Sequence, residues 1–372
     1  MHLQSRGFFM ADDIRALTGI RGVAAAVIVV YHFGDVQLAT GGTGSFFRIP
    51  YGYLLVDMFF MLSGYVMALN YRETFQHLTG KVFANFMLKR VARLYPAYFV
   101  IGLFYLAKIA AGLSGEKLEM YSAWDWFGNL FMLSGWGLYI FPIIGVAWAA
   151  SAEMGSYLLL PFLMPWTQSK HKWIALLAVV AALVGIYAVS ITGRGSGGPL
   201  DVVNGNSLYP MLRAVCGFSL GLAIFRFGHL VDHLSAKMQD ILVIALPLAI
   251  IAVGAADASD RLMYLLYIPL VAVLSRDGRM AQWLFGNRLV YRLGIISYSI
   301  YLIHPLFVSF AIRSWRHFGQ TDGNYLVASL VCFAVIWLLA EVSYRLIEVP
   351  GRKAIVSWFA SKPARATGAP AP

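Results

Sequence analysis

Charge is scarce in this sequence and cysteine almost absent. Of 372 residues only 13% are Asp, Glu, Lys or Arg against 59% hydrophobic, and acidic residues are the rarer kind, 18 against 29 basic. Soluble domains carry about 25% charged residues, so the shortfall, with a mean hydropathy of +0.68, excludes a soluble protein and leaves an integral membrane one. The two cysteines, Cys216 and Cys332, both fall inside long apolar runs. That excludes a disulfide framework and a thiolate metal site, and casts both as packing residues. A phosphate-cradling glycine loop, HExxH-type metal spacing and internal repeats are missing too, so no metal is expected. Residues 1–13 lack the basic start and short apolar core of a cleavable signal peptide, so the first apolar run is expected to stay in the protein.

Apolar runs of about 15 to 22 residues, long enough to cross a bilayer, recur near 14–33, 52–71, 94–112, 146–165, 173–191, 208–227, 240–256, 261–275, 294–312 and 325–347. The predicted fold is therefore all-α, a polytopic membrane bundle of about ten transmembrane helices. An eleventh stretch, 124–140, is broken by Gly128, Asn129, Gly135 and Gly137 and closed by Pro142, so it is expected to be interfacial or re-entrant. Cytoplasmic loops collect Lys and Arg. With ten spans and both termini in the cytoplasm, about 21 of the 29 basic residues fall on the inner side. If 124–140 spanned the bilayer, the clusters Arg276 to Arg292 and Arg345 to Arg365 would face outward. The formal charge of +11 is thus read as a topology signal, with no nucleic-acid partner. The expected organisation is a cytoplasmic segment over 1–13, one membrane domain over 14–353, and a short tail over 354–372 lacking fixed structure.

Within the first run, IRGVAAAVIVVYH, Arg21 and His32 are eleven residues apart, which places them on one helical face roughly 16 Å apart. Ionisable groups at membrane depth are costly and are kept for pairing or for function. Asp57 opens VDMFFMLSGY near the outer end of the second run, where a short hairpin would set it beside His32 to orient the ring as a general base; the plainer alternative is a helix cap. Arg90 and Arg93, in KRVARLYP, share a face and suit bidentate phosphate binding, or serve simply as cytoplasmic anchors. Glu153, in WAASAEMGSYLLLP, is either functional or the structural partner of an arginine such as Arg213. His304 precedes Pro305 and is expected to bond carbonyls freed by the proline, a structural role. Arg345, Glu348 and Pro350 are expected to anchor and stop the last helix.

Taken in order, IRGVAAAVIVVYH, VDMFFMLSGY, KRVARLYP, WAASAEMGSYLLLP, LGIISYSIYLIHP and YRLIEVPGR resemble the membrane-bound acyltransferase-3 family from about residue 14 to 353. Those enzymes O-acylate sugars, chiefly acetylating bacterial surface polysaccharide and lipopolysaccharide. The resemblance implies His32 as the catalytic residue, Asp57 and Glu153 as acidic site residues, and Arg21, Arg90 and Arg93 as contacts for an acyl-CoA donor, most simply acetyl-CoA. It further implies a multi-pass protein of the bacterial inner membrane, a sugar or glycan acceptor, surrounding membrane lipid, and polysaccharide-assembly proteins as partners. Departures occur at Thr18, Ala149 and Met154 to Ser156, where the family usually has Asp, a different residue in a WSL string, and Glu-Gln-Phe. Many relatives carry a fused extracytoplasmic hydrolase domain, for which this chain is expected to have no room. His32 is expected either to deprotonate the acceptor hydroxyl or to carry the acyl group itself. The rival classes are a transporter or flippase of lipid-linked sugars, a non-catalytic export subunit, and acylation of a small glycoside such as a macrolide.

Overall fold

The computed structural model describes residues 14–42, 47–193, 195, 197–203 and 206–360. Among them there are helices and connecting turns but no strand. In chain order the helices are α1 (Arg15–Ala39), α2 (Leu55–Tyr71), α3 (Gly80–Ala110), α4 (Ala123–Leu130), α5 (Trp148–Thr167), α6 (Lys172–Thr192) and α7 (Tyr209–Phe227). Then follow α8 (Ala236–Ala255), α9 (Asp260–Leu274), α10 (Arg279–Leu284), α11 (Arg288–Ile295), α12 (Ser297–His317), α13 (Asp322–Ser343) and α14 (Val349–Ala360). Nine of the ten apolar runs lie mainly on single helices among these, and the run 294–312 straddles the break between α11 and α12. By length and hydropathy seven described helices qualify as spans, and eight if α11 and α12, bent by 71° at Ile296, form one broken span. The 15-residue α9 is too short for that criterion, and α3 carries Lys81, Lys89, Arg90, Arg93 and Lys108 along its length.

Close backbone approach organises the centre. A Cβ on Gly64 of α2 would collide with the Phe218 carbonyl of α7, and one on Gly221 of α7 with that of Met61 of α2. Bare glycine faces let helices approach where lipid gives no hydrophobic drive to associate. Arg213 on α7 closes this contact. Its guanidinium lies over the Trp148 ring and donates through Nε and Nη2 to both carboxylate oxygens of Asp57, at 3.2 and 2.6 Å, with both side chains fully buried. On α1, Gly22 meets the backbone of α11 at Gly294, so the bent α11–α12 unit lies against the first helix.

The 124–140 stretch holds only one short helix, α4, of eight residues, about 12 Å long and too short to cross a bilayer. Asp125 ties its return path, accepting from the Ser122 backbone and hydroxyl and from the Phe141 N–H. Burial alone would raise the Asp125 carboxyl, but these bonds to its charged form outweigh it and hold it below the ordinary value.

One expectation at the C-terminal end fails. The helix does not stop at Pro350: α13 passes through a π-turn, Tyr344–Glu348, into α14, which runs to Ala360. Proline lacks an N–H and its ring crowds the carbonyl four residues back, and a wide turn just before it relieves both conflicts. The first seven residues of the tail expected over 354–372 are therefore helical. Segment 1–13 and residues beyond 360 lie outside the described residues.

Candidate functional site

Arg21 and His32 stand on one unbroken helix, α1. The Nδ1 of His32 is 2.9 Å from the Ile28 carbonyl oxygen. A carbonyl only accepts, so Nδ1 carries the proton, and the neutral ring keeps its lone pair on Nε2, the requirement for a general base. Asp57 is not beside it. Both Asp57 oxygens are bound to Arg213, which corrects the expected hairpin contact: spacing along α2 sets the depth of Asp57, whereas the α2–α7 packing sets its direction. The carboxylates that act electrostatically on His32 are Asp35 and Asp201.

The neighbour that sequence reasoning missed is His304. Its ring lies 4.8 Å from that of His32, centroid to centroid, at an interplanar angle of 55°. Nδ1 of His304 is 2.7 Å from the Tyr301 carbonyl, the group that an N–H at position 305 would have bonded in a regular helix. The expected structural bond to a proline-freed carbonyl is thus present, and the ring also meets His32. His304 Nε2 is buried with no hydrogen-bond partner among the described residues. The signal available in the sequence was a second intramembrane histidine; its approach to α1 depends on the bend between α11 and α12.

The connection from α6 to α7 is held close by. Asp260 accepts from the Leu200 backbone N–H at 2.9 Å and from Tyr53 OH at 3.0 Å. Arg213 Nη1 donates to the Val202 carbonyl at 3.3 Å, and Asp201 accepts from the Gly197 N–H at 2.9 Å. A Cβ on Gly197 would sit against the hydroxyl of Tyr31, the residue preceding His32. The Asp57–Arg213 pair therefore holds a segment near the histidines rather than a histidine itself.

Glu153 and three arginines occupy a second cluster. Glu153 accepts from Ser63 Oγ and Tyr157 OH, both at 2.5 Å, and Arg90 and Arg21 act electrostatically on that same tyrosine. Glu153 does not pair with Arg213, the alternative raised from sequence. Arg90 lies among aromatic rings, its guanidinium carbon 5.3 Å from the Tyr71 centroid, 5.6 Å from Phe86 and 5.7 Å from Tyr157. Nη2 donates to Tyr71 OH at 3.0 Å, and no ion pair forms at Arg90 among the described residues. Rings and hydroxyls steady a cation without cancelling its charge.

Arg93 differs. Its Nη1 donates to Glu348 Oε2 at 3.2 Å, and Glu348, buried, also accepts from Ser299 at 2.6 Å. Glu348 is thus a buried partner rather than an exit anchor. Arg345 bonds Glu341 instead, as does Arg292. The continued helix brings Arg352 within electrostatic reach of Arg90, Arg93 and Glu348, a fourth cation beside Arg21, Arg90 and Arg93 that a helix stop at Pro350 had hidden. Two apolar clefts, of about 320 and 480 Å³, lie elsewhere, between α3 and the 126–144 region and among α5, α6 and α7; neither is lined by any of these residues.

The fold and site define a class: a polytopic helical membrane protein with a histidine pair and an arginine cluster joined by one helix. The chain belongs to the acyltransferase-3 family, whose sequence pattern, described as an acyltransferase domain, matches residues 14–341. It is a membrane acyltransferase. It is 24% identical to BcsY of Komagataeibacter xylinus, provisionally named a membrane-bound transacylase, over 92% of this chain and 84% of that one. It is 26% identical to YrhL of Bacillus subtilis, provisionally named a peptidoglycan O-acetyltransferase, over 91% and 55%. To SACOL0978 of Staphylococcus aureus, provisionally named an O-acetyltransferase, it is 24% identical over 94% and 59%. The chain thus spans little more than half the length of the latter two. No solved structure matches it.

Proposed function

We propose that the chain moves an acyl group, most simply acetyl, from cytoplasmic acyl-CoA to a sugar hydroxyl of a surface polysaccharide, lipopolysaccharide or related glycoconjugate, in the inner membrane of a bacterium. The observation that carries this is the fixed tautomer of His32, whose Nδ1–H bond to Ile28 leaves an Nε2 base in a family of acyltransferases. The names of YrhL and SACOL0978 supply the acetyl group and the hydroxyl acceptor by analogy.

The arginine cluster takes the donor's phosphates. Arg90, unpaired by any carboxylate among the described residues, is the leading contact, with Arg21, Arg93 and Arg352 adding field. Glu153 holds the hydroxyl of Tyr157, whose ring lies under the Arg90 guanidinium. From there an extended pantetheine arm covers a distance on the order of the 16 Å between Arg21 and His32. His32 Nε2 removes the proton of the acceptor hydroxyl, whose oxygen attacks the thioester carbonyl. The oxygen–carbon bond forms, the carbon–sulfur bond breaks with its electron pair going to sulfur, and the proton passes to the departing thiolate. Asp57 has no part in these steps.

Purified protein in lipid vesicles with labelled acetyl-CoA tests the reading. Saturable donor binding and transfer of label to a glycan hydroxyl are expected; a protein that neither binds nor consumes the donor, yet moves lipid-linked sugar across the vesicle, is a transporter.

A further inference from the structure

His304 has no place in the steps above, yet it presents a buried ring nitrogen, without a partner among the described residues, next to the proposed base. An unsatisfied polar atom at membrane depth is costly, so a donor brought to this nitrogen is stabilising. The two rings are fixed alike: each Nδ1 hydrogen is committed to a backbone carbonyl, of Ile28 for His32 and of Tyr301 for His304. Both rings are thereby left with a lone pair on Nε2 and nothing to donate from it. Two such nitrogens share one hydrogen bond only when a single proton is added.

We propose that His32 and His304 form a one-proton pair, in which the Nε2 lone pair of His304 accepts from the Nε2–H that His32 acquires from the acceptor hydroxyl. This rests on His32 as the base. The proton leaves the acceptor oxygen for His32 Nε2, is shared with His304 Nε2 while the oxygen–carbon bond forms and the carbon–sulfur bond breaks, and ends on the thiolate sulfur. His304 supplies the stabilisation of the imidazolium that a carboxylate gives elsewhere, without a second buried charge. It is a positioning residue, since it acts on the substrate through His32.

Two cationic rings 4.8 Å apart would repel strongly in a low dielectric, so the pair takes up one proton and not two. Asp35 and Asp201 act on His32, whereas His32 itself is the titratable side chain acting on His304 among the described residues. Tyr31 and Tyr301, in ring contact with His32 and His304 respectively, stay neutral phenols and do not compete for the proton.

Two amides separate a relay from a packing role. In His304→Asn the side-chain NH2 can still donate to the Tyr301 carbonyl, as Nδ1 does, but nothing remains at the Nε2 position; in His304→Gln an amide oxygen reaches that position. The expected result is a fall in kcat on the order of 100-fold for His304→Asn with both KM values unchanged, and recovery of much of it in His304→Gln. Wild-type kcat in His304→Asn, or equal losses in both variants, overturns the pair. Should neither variant fold, 15N-histidine NMR of the wild-type protein decides: one proton shared by both rings across the titration supports the pair, and two independent titrations overturn it. A His32→Ala protein that still transfers acyl groups would instead remove the parent reading, an outcome separate from either of these.

Discussion

Two buried polar pairs lie near each other in this bundle, and they are built in opposite ways. In Asp57–Arg213 the carboxylate has a donor on each oxygen, and the guanidinium also reaches the Val202 carbonyl and covers the Trp148 ring. In His32–His304 each ring has one nitrogen committed to a backbone carbonyl, and His304 Nε2 has no partner among the described residues. The first pair is closed, so it can only hold structure together; the second is open, so it can take a proton. Burial alone, which led to a functional expectation for Asp57, does not separate the two. The number of unsatisfied valences does.

Substitutions can break or sharpen that contrast. The largest stability effect is expected at the closed pair: Asp57→Ala leaves an uncompensated buried guanidinium and should destabilise by about 3–5 kcal/mol. Thermal unfolding in detergent would register this as a lower midpoint, with activity per folded molecule retained. The joint replacement Asp57→Leu with Arg213→Met should recover much of the loss, because an apolar pair leaves no charge stranded. Undiminished stability with abolished transfer in Asp57→Ala would place Asp57 among the catalytic groups after all.

A second contrast, between Arg90 and Arg93, gives the next effect. Arg90 offers its whole charge to an anion and Arg93 shares its own with Glu348. Arg90→Gln should raise the donor KM about tenfold, equivalent to about 1.4 kcal/mol, and Arg93→Gln by less. Equal effects in steady-state kinetics would erase the distinction. Arg352→Gln, which removes the fourth cation of the donor field, belongs between them.

The smallest effect is expected at the more exposed ionic cluster, where Glu341 accepts from Arg292 and Arg345. Those bonds hold the Arg345 side chain at 68% exposure, so Arg345→Gln should cost less than about 1 kcal/mol. A midpoint drop as large as that of Asp57→Ala would show that exposure is a poor guide to ionic pairs in this bundle.

Much of the architecture was legible because its signal is one-dimensional. Each apolar run had to become a helix, and the interrupted 124–140 stretch, rich in glycine, had to fold back. The histidine tautomers follow from local geometry too, since Pro305 frees the carbonyl that fixes His304. What the chain did not disclose is azimuth. The depth of Asp57 was readable, but whether it faces α1 or α7 depends on the Gly64 and Gly221 contacts that draw α2 against α7. The approach of His304 to His32 depends likewise on the 71° bend before α12 and on the packing of Gly22 against Gly294. Pro350 was misleading for a different reason: the rule that proline ends a helix holds for a regular ladder, and the π-turn beside it is not one. That turn also explains how Arg352 and Glu348 joined the arginine cluster unseen.

The central claim is that the open imidazole on α1 is the base of an acyl transfer. The most direct measurement compares wild type with His32→Ala, each purified whole and placed in vesicles with labelled acetyl-CoA and a glycan acceptor. The account predicts equal donor binding by both and a loss of transfer on the order of 100- to 10,000-fold in the variant. Transfer by His32→Ala at the wild-type rate would contradict it.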